Sequence, residues 1–233
     1  MGKTILDHWS YSAWSLHKKC PFAFYNSYIL KLKQPDNTAM ARGTMIHSLA
    51  EQYLKGGITG GVPKQLNKLA TEYRLLKKAR PIVEKFWGVN AQWKPSGYPS
   101  WCVMKMDAAI VPTKKDPTLW IGDHKTGRIY PDHVKQGSLY VSIGFALYPK
   151  IELATAEFLY TDQGKVEAHE FTRSQIRHQV KYWQEEGKKL ISQTKFLPKP
   201  SYNACQYCGY RDDKKLANGK KGPCAAYKVV RFK

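Results

Sequence analysis

No run of about 18 apolar residues occurs anywhere in this chain, which excludes a helical membrane span. The opening residues MGKTILDHWS contain no apolar h-region, so a secretory signal is not expected. The Met-Gly start is also not a myristoylation signal, because Leu6 and Asp7 stand where Ser or Thr is wanted. Cysteine is sparse and odd in number: five, at 20, 102, 205, 208 and 224. Without a signal peptide, that count argues against a disulfide framework and for reduced thiols in a cytoplasmic compartment. There is no internal repeat, no low-complexity tract and no G-x-x-x-x-G-K-[ST] loop, so a helicase motor is not expected. Acid is scarce as well: 18 Asp and Glu face 38 Lys and Arg, a formal net charge of +20.

Such an excess of base attracts polyanions, nucleic acid first. A merely solubilising basic surface, or attraction to anionic lipid, is the plainer reading. The 233 residues suffice for a sizeable core without staples, and 42% hydrophobic content argues against disorder. Residues 8–33 read as two short helices broken at Pro21. A helix is expected from about Ala39 to Leu54, with Met45, Leu49 and Leu54 as its apolar stripe and Gly56-Gly57 as its stop. Residues 64–88 read as helical and very basic, interrupted at Pro81. Strands follow at about 100–111 and in TLWIGDHK, forming a hairpin. A helix at about 132–147 comes next, then two strands in IELATAEFLYTD and VEAHEFT. A long helix closes the pattern, with Thr172 as its cap. The order predicts a mixed α/β core with a helical N-terminal part.

The stretch WIGDHKTGR, residues 120–128, ends an apolar run on an Asp, a His and a Lys. On a strand, Asp123 and Lys125 face the same side. Asp107, in MKMDAAIV, is costly among apolar strand residues unless paired or metal-bound. Pairing of the two strands brings Asp107 near Asp123, and a divalent cation relieves the repulsion between them; oxygen ligands suit Mg²⁺ or Mn²⁺. Lys125 then has work that no carboxylate can do: holding an attacking water or stabilising charge that develops on a phosphate. Read blandly, Asp123 and Lys125 are an ion pair beside a turn. Cys102 reads as a core thiol, and His133, His169 and His178 as surface or satisfied core residues.

With Asp107 followed by Asp123-His124-Lys125, the chain resembles the PD-(D/E)XK nuclease superfamily, in its RecB/AddB-like exonuclease form. GTMIHSLAEQYL is similar to the family's G-x-x-x-H helix, which makes His47 a metal ligand. DHKTGR resembles the D-x-K-T-G signature. QGSLY resembles the Q-x-x-x-Y motif and marks Gln136 and Tyr140, which share a helical face. SAWSLHKKCPFAFYNSYI is similar to the family's N-terminal segment. The matches run from about residue 10 to 224. The Asp107 motif lacks the family's preceding Pro.

The resemblance implies a restriction-endonuclease-like core with a central mixed sheet flanked by helices, plus a helical N-terminal part and a cysteine-bearing C-terminal segment. A single nuclease domain over 1–233 is expected: a helical part at about 1–95, a catalytic core at about 96–197 and a cysteine tail at 198–233. Metal ligands would be His47, Asp107, Asp123 and the carbonyl of His124, with Glu51 orienting the His47 ring. Lys125 positions the water, and Gln136 and Tyr140 orient Lys125 or the DNA backbone.

Cys20, Cys205, Cys208 and Cys224 match the placement in AddB-like nucleases, where four thiolates hold a 4Fe–4S cluster and clamp the chain ends. Here residues 209–223 separate the last two, longer than usual, and read as a surface loop. Structural zinc, or no metal, remains open at these thiols.

The implied activity is a metal-dependent DNA exonuclease in recombination, repair or end resection, of a phage- or CRISPR-associated type, with a single-strand annealing protein as one partner. The basic stretch Lys64–Lys85 and the tail beyond 213 are the expected phosphate contacts, with binding that falls steeply with salt. A DNA-binding or adaptor module with a silent site and a structural metal is the alternative, and RNA cleavage stays open.

Overall fold

The computed structural model describes residues 6–35, 37–97 and 99–230. Contacts divide the chain into two compact units, Met1–Asn37 with Glu185–Lys233, and Thr38–Gln184.

The first unit begins with helix α1 (Tyr11–Lys19). The Ser10 hydroxyl accepts the Ala13 N–H at 3.4 Å, and three basic residues in the last turn suit the carbonyl end. Pro21 cannot continue α1 but suits the first position of a new helix. α2 (Pro21–Phe24) therefore starts there and runs into a π-helical turn at Tyr25–Ile29. Phe24 stacks on Tyr28 and Phe196 at 5.3 and 5.9 Å. Ala23, Tyr210 and Leu216 form a small core with Leu16, Cys20, Leu32 and Cys208 around it. The surface loop expected at residues 209–223 is a run of turns, mostly exposed, tied by a parallel bridge Arg211–Cys224 and an antiparallel bridge Lys215–Lys221, with Tyr210 and Leu216 buried.

Glu186 is 5% exposed and receives Trp14 Nε1 at 2.8 Å, Lys18 at 2.6 Å and Lys189 at 3.1 Å. Burial opposes its ionisation, but the hydrogen bonds from Lys18, Trp14 and Lys189 outweigh burial and bring its pKa down to about 2. A carboxyl with a depressed folded pKa contributes stability above its unfolded pKa and loses it as pH falls towards the folded one. Glu186→Gln is therefore expected to lower the thermal midpoint at neutral pH and to flatten its decline between about pH 5 and 2. Melting curves across that range are the check, and parallel acid limbs in the two proteins would refute it.

The second unit is built on a five-stranded mixed sheet in the order β1 (Ile82–Val89), β2 (Cys102–Ile110), β3 (Leu119–Lys125), β4 (Leu153–Tyr160), β5 (Lys165–Thr172). Only β3 and β4 are parallel; α5 (His133–Leu147) makes the crossover between them. Around the sheet lie α3 (Thr38–Leu54), α4 (Ala70–Ala79) and the first part of α6 (Arg173–Ile191). The start of α6 is marked by Gln175, whose Oε1 accepts the Thr172 N–H at 2.9 Å. A last helical turn, α7, spans Tyr202–Cys205 in the first unit.

Two expectations are corrected. Residues 64–88 are not helical throughout. A 3₁₀ turn (Lys64–Leu69) and α4 end at Arg80, which is left-handed (φ 53°), and Pro81 blocks continuation. Ile82, Val83, Phe86, Trp87 and Val89 then favour a pleated surface, so three strands precede α5 rather than two. The buried stripe of α3 is Ile46, Ala50, Tyr53 and Leu54, while Met45 is exposed. These residues join Leu66, Leu69, Tyr73, Leu76, Ala108 and Leu159 in one core.

Against the sheet, α5 lies close because of two glycines. A Cβ on Gly137 would stand 2.8 Å from the Ala156 Cβ, and one on Gly144 would stand 2.3 Å from Leu119 Cδ2. This approach sets the depth at which Gln136, the residue before the first glycine, meets the end of β3.

Candidate active site

Asp107, Asp123 and Lys125 reach one place through the strand register. β2 and β3 pair Ala109 with Ile121 and Ala108 with Gly122, and the same register continued sets Asp107 opposite Asp123. Asp107 Oδ2 accepts the His124 N–H at 2.7 Å, and Oδ1 meets His47 Nδ1 from α3 at 3.0 Å. Asp123 is 6% exposed. Its Oδ1 lies 2.8 Å from Lys125 Nζ, and its Oδ2 accepts Gln136 Nε2 at 2.7 Å. Gln136 Oε1 accepts Lys125 Nζ at 2.8 Å, and the Gln136 amide also reaches Tyr140 Oη at 2.8 Å. One amide one turn before Tyr140 thus fixes both members of the Asp-x-Lys pair.

Burial raises the pKa of Asp123, and the charge of Asp107 adds to that effect, while Lys125 opposes it; the net direction is upward. Asp107 is buried too, but its hydrogen bond to His47 and the charges of His124 and His47 hold its pKa below the ordinary carboxylate range. Burial lowers the His47 pKa, but Asp107 outweighs this and raises it. Burial pushes His124 down to about 4, so its imidazole is neutral at neutral pH.

The His124 ring does not share the side of Asp123. Its Nδ1 lies 3.1 Å from Tyr73 Oη of α4. The expected contact of Glu51 with His47 is absent from the described interactions. Glu51 pairs with Lys55 at 2.6 Å, one turn on along the exposed side of α3, where a flexible ammonium reaches it first. The Thr-Gly of DHKTGR is anchored by Asp162, which accepts the Gly127 N–H at 2.8 Å and a two-toothed grip from Arg42 at 2.7 and 2.5 Å.

The ligand atoms that converge within 4.8 Å of one another are those of His47, Glu84 and Asp107. Asp123 lies outside that set, with its oxygens on Lys125 and Gln136. Glu84 is not foreseeable from the sequence, since residues 82–88 read as helix; no motif marks it, and only the β1–β2 pairing places it. His133 is a satisfied residue, as expected: its Nδ1 lies 2.7 Å from Tyr160 Oη, which also donates to Glu167 at 3.2 Å.

In the first unit, Cys20, Cys205, Cys208 and Cys224 line one recess, bounded also by Phe22, Pro198 and Tyr210. Cys102 is fully buried in the second unit and away from this set, and burial raises its thiol pKa.

Residues 8–101 match the family model of the PD-(D/E)XK nuclease superfamily. That segment includes His47 and stops before Asp107. No curated protein matches the sequence significantly. Among solved structures, the chain is similar to a "Putative exonuclease" from Eubacterium rectale. The identity is 11%, the TM-score 0.52, and the alignment covers 97% of this chain and 89% of that one. It is also similar to SSO0001, at 14% identity and a TM-score of 0.44, covering 88% and 84%. At 11% identity the Eubacterium rectale likeness speaks to the fold alone. The five-stranded mixed sheet flanked by helices is consistent with the restriction-endonuclease-like fold of the family whose model matches residues 8–101.

Proposed function

We propose that the protein is a metal-dependent nuclease that hydrolyses DNA phosphodiester bonds from ends, serving recombination, repair or end resection. The observation that carries this reading is the Asp123–Lys125–Gln136–Tyr140 network set beside the His47–Asp107 pair. The donor set fits a divalent cation: two carboxylates face each other closely enough for the charge of Asp107 to raise the pKa of Asp123, and an imidazole stands at one of them. His47, Asp107 and Asp123 would hold Mg²⁺ or Mn²⁺, with the His124 carbonyl as a further oxygen. When bound, the cation supplies Lewis acidity and a more acidic water.

The chain's own residues do the rest. Asp107 holds the β3 backbone at His124 and orients His47. Gln136 keeps Lys125 against Asp123, so the ammonium is already placed where negative charge grows on a phosphate. Tyr140 holds the Gln136 amide. The surplus of base favours a polyanionic substrate. End-directed cleavage and an annealing partner rest on the resemblance to RecB/AddB-like enzymes; the Eubacterium rectale neighbour is consistent with it.

We assign the four-cysteine recess to a 4Fe–4S cluster. Backbone N–H groups point at the sulfurs: Lys199 N lies 3.5 Å from Cys20 Sγ, and the backbones of Tyr210, Ala226 and Tyr227 hydrogen-bond Cys208 and Cys224. Burial raises the thiol pKa of Cys208 and of Cys224, and these donors oppose that rise by favouring the thiolate. The meeting of the four cysteines at one recess supports that assignment, with the resemblance to AddB-like nucleases.

The test is cleavage of end-labelled linear and closed circular DNA with Mg²⁺, Mn²⁺ or EDTA, with Lys125→Ala alongside and labelled RNA in parallel. Metal-dependent loss of the linear DNA alone, absent in the variant, is the expected result. Tight binding without cleavage under any metal would instead make the chain an adaptor with a silent site.

A further inference from the structure

We infer that Glu84 is a ligand of the divalent cation, completing a site with His47 and Asp107 at the β1 edge of the sheet. This rests on the metal-dependent reading above and extends it to a residue outside every motif.

Three elements deliver the three side chains: α3 brings His47, β2 brings Asp107 and β1 brings Glu84. One ligand atom of each lies within 4.8 Å of the other two. The strand register accounts for the meeting. β1 and β2 pair Val83 with Ala108 and Lys85 with Met106, which sets Glu84 across from Asp107. Residues directly opposite on antiparallel strands put their side chains on one face. Glu84 itself has φ 56°, the left-handed region that non-glycine residues rarely occupy, least of all inside a strand. The ladder between β1 and β2 is interrupted at this one residue, and its carboxylate turns inward to 12% exposure.

The ion pair Glu84 makes is with Lys105, whose side chain is half exposed and free to swing into solvent. Asp107 shares its carboxylate between His47 and the His124 backbone. The His124 ring lies 5.9 Å from that of His47, and its buried Nε2 has no hydrogen-bond partner, a polar atom left unspent beside the site. Two carboxylates and one imidazole suit a divalent ion that tolerates nitrogen, so Mn²⁺ binds more tightly than Mg²⁺. In this arrangement Asp123, held by Lys125 and Gln136, remains a ligand from β3, and Glu84 adds a carboxylate oxygen from β1.

The experiment is calorimetric titration of the full-length protein with Mn²⁺, with Mg²⁺ as competitor, for wild type, Glu84→Gln, Glu84→Gly and Asp107→Asn. Asp107→Asn reads any binding away from the site. Glu84→Gly keeps a residue at ease in the left-handed region, so its fold is retained and its urea midpoint stays near that of wild type. The expected result is Mn²⁺ affinity about ten-fold or more weaker in both Glu84 variants. Wild-type affinity in both would overturn the assignment of Glu84 while leaving the metal site standing. Mn²⁺ binding that Asp107→Asn does not change would overturn the metal site itself, and Glu84 with it.

Discussion

Asp123→Asn is expected to slow DNA cleavage by about a thousand-fold or more while leaving DNA binding nearly unchanged. The substitution keeps the shape of the side chain and removes its charge. Two donors now converge on the carboxylate, Lys125 Nζ at 2.8 Å and Gln136 Nε2 at 2.7 Å. An asparagine offers one oxygen and one NH₂, so one of those donors meets another donor and must turn away. If the ammonium turns, Lys125 leaves the position in which it would meet a phosphate. If the amide turns, the hydrogen bonds that Gln136 makes to Lys125 and Tyr140 are disturbed together. A cation at this place also loses an oxygen ligand.

Binding survives because the attraction for a polyanion comes from a net charge of +20, to which one buried acid contributes little. The raised pKa of Asp123 adds a pH signature. The ionised form is the working one, so cleavage in the wild type falls on the acid side as this group takes up a proton. Single-turnover rates on end-labelled DNA, beside filter-binding isotherms, measure both halves of the prediction. A variant with the wild-type rate would remove Asp123 from the chemistry.

Cys205→Ser and Cys208→Ser are expected to strip iron and acid-labile sulfide from the purified protein and to lower its thermal midpoint by roughly 10 °C or more. The argument is one of scale. The buried apolar cluster around the recess consists of Ala23, Tyr210 and Leu216, and residues 192–201 and 206–225 of this unit contain no helix or regular strand. A four-thiolate group that joins Cys20 to the three C-terminal cysteines would tie its two chain segments together. Removing one thiolate removes that tie. Cys102→Ala is the control: it lies in the other unit, and metal content should not change. Elemental analysis and visible absorbance separate the outcomes. Zinc in place of iron would reassign the recess, and no metal in wild type would end the idea.

The Asp-x-Lys pair and its partners on α5 are legible in the order of residues because they are local. Asp123 and Lys125 are two residues apart on one strand, and Gln136 and Tyr140 are one helical turn apart. Periodicity and spacing therefore place each pair on a single face. His47 is legible only through its motif, and Asp107 through the oddity of an acid among apolar neighbours. The strand at 82–89 is not legible. It follows a basic helix without a change in polarity, and its β-branched and aromatic residues read as a continuation beyond Pro81.

By itself, then, the sequence determined the α/β class, the polyanion-attracting charge and the residues that form the Asp-x-Lys network. Those features depend on composition and on neighbours along the chain. Only the tertiary structure decided that Glu84 joins His47 and Asp107 and that Glu51 does not. Only it decided that a bridge ties Arg211 to Cys224, and that Cys20 and the three distant cysteines share one recess. The physical reason is the same in each case. Strand register, a left-handed turn and the meeting of segments nearly two hundred residues apart are settled by packing, and packing leaves no periodic mark in the order of residues.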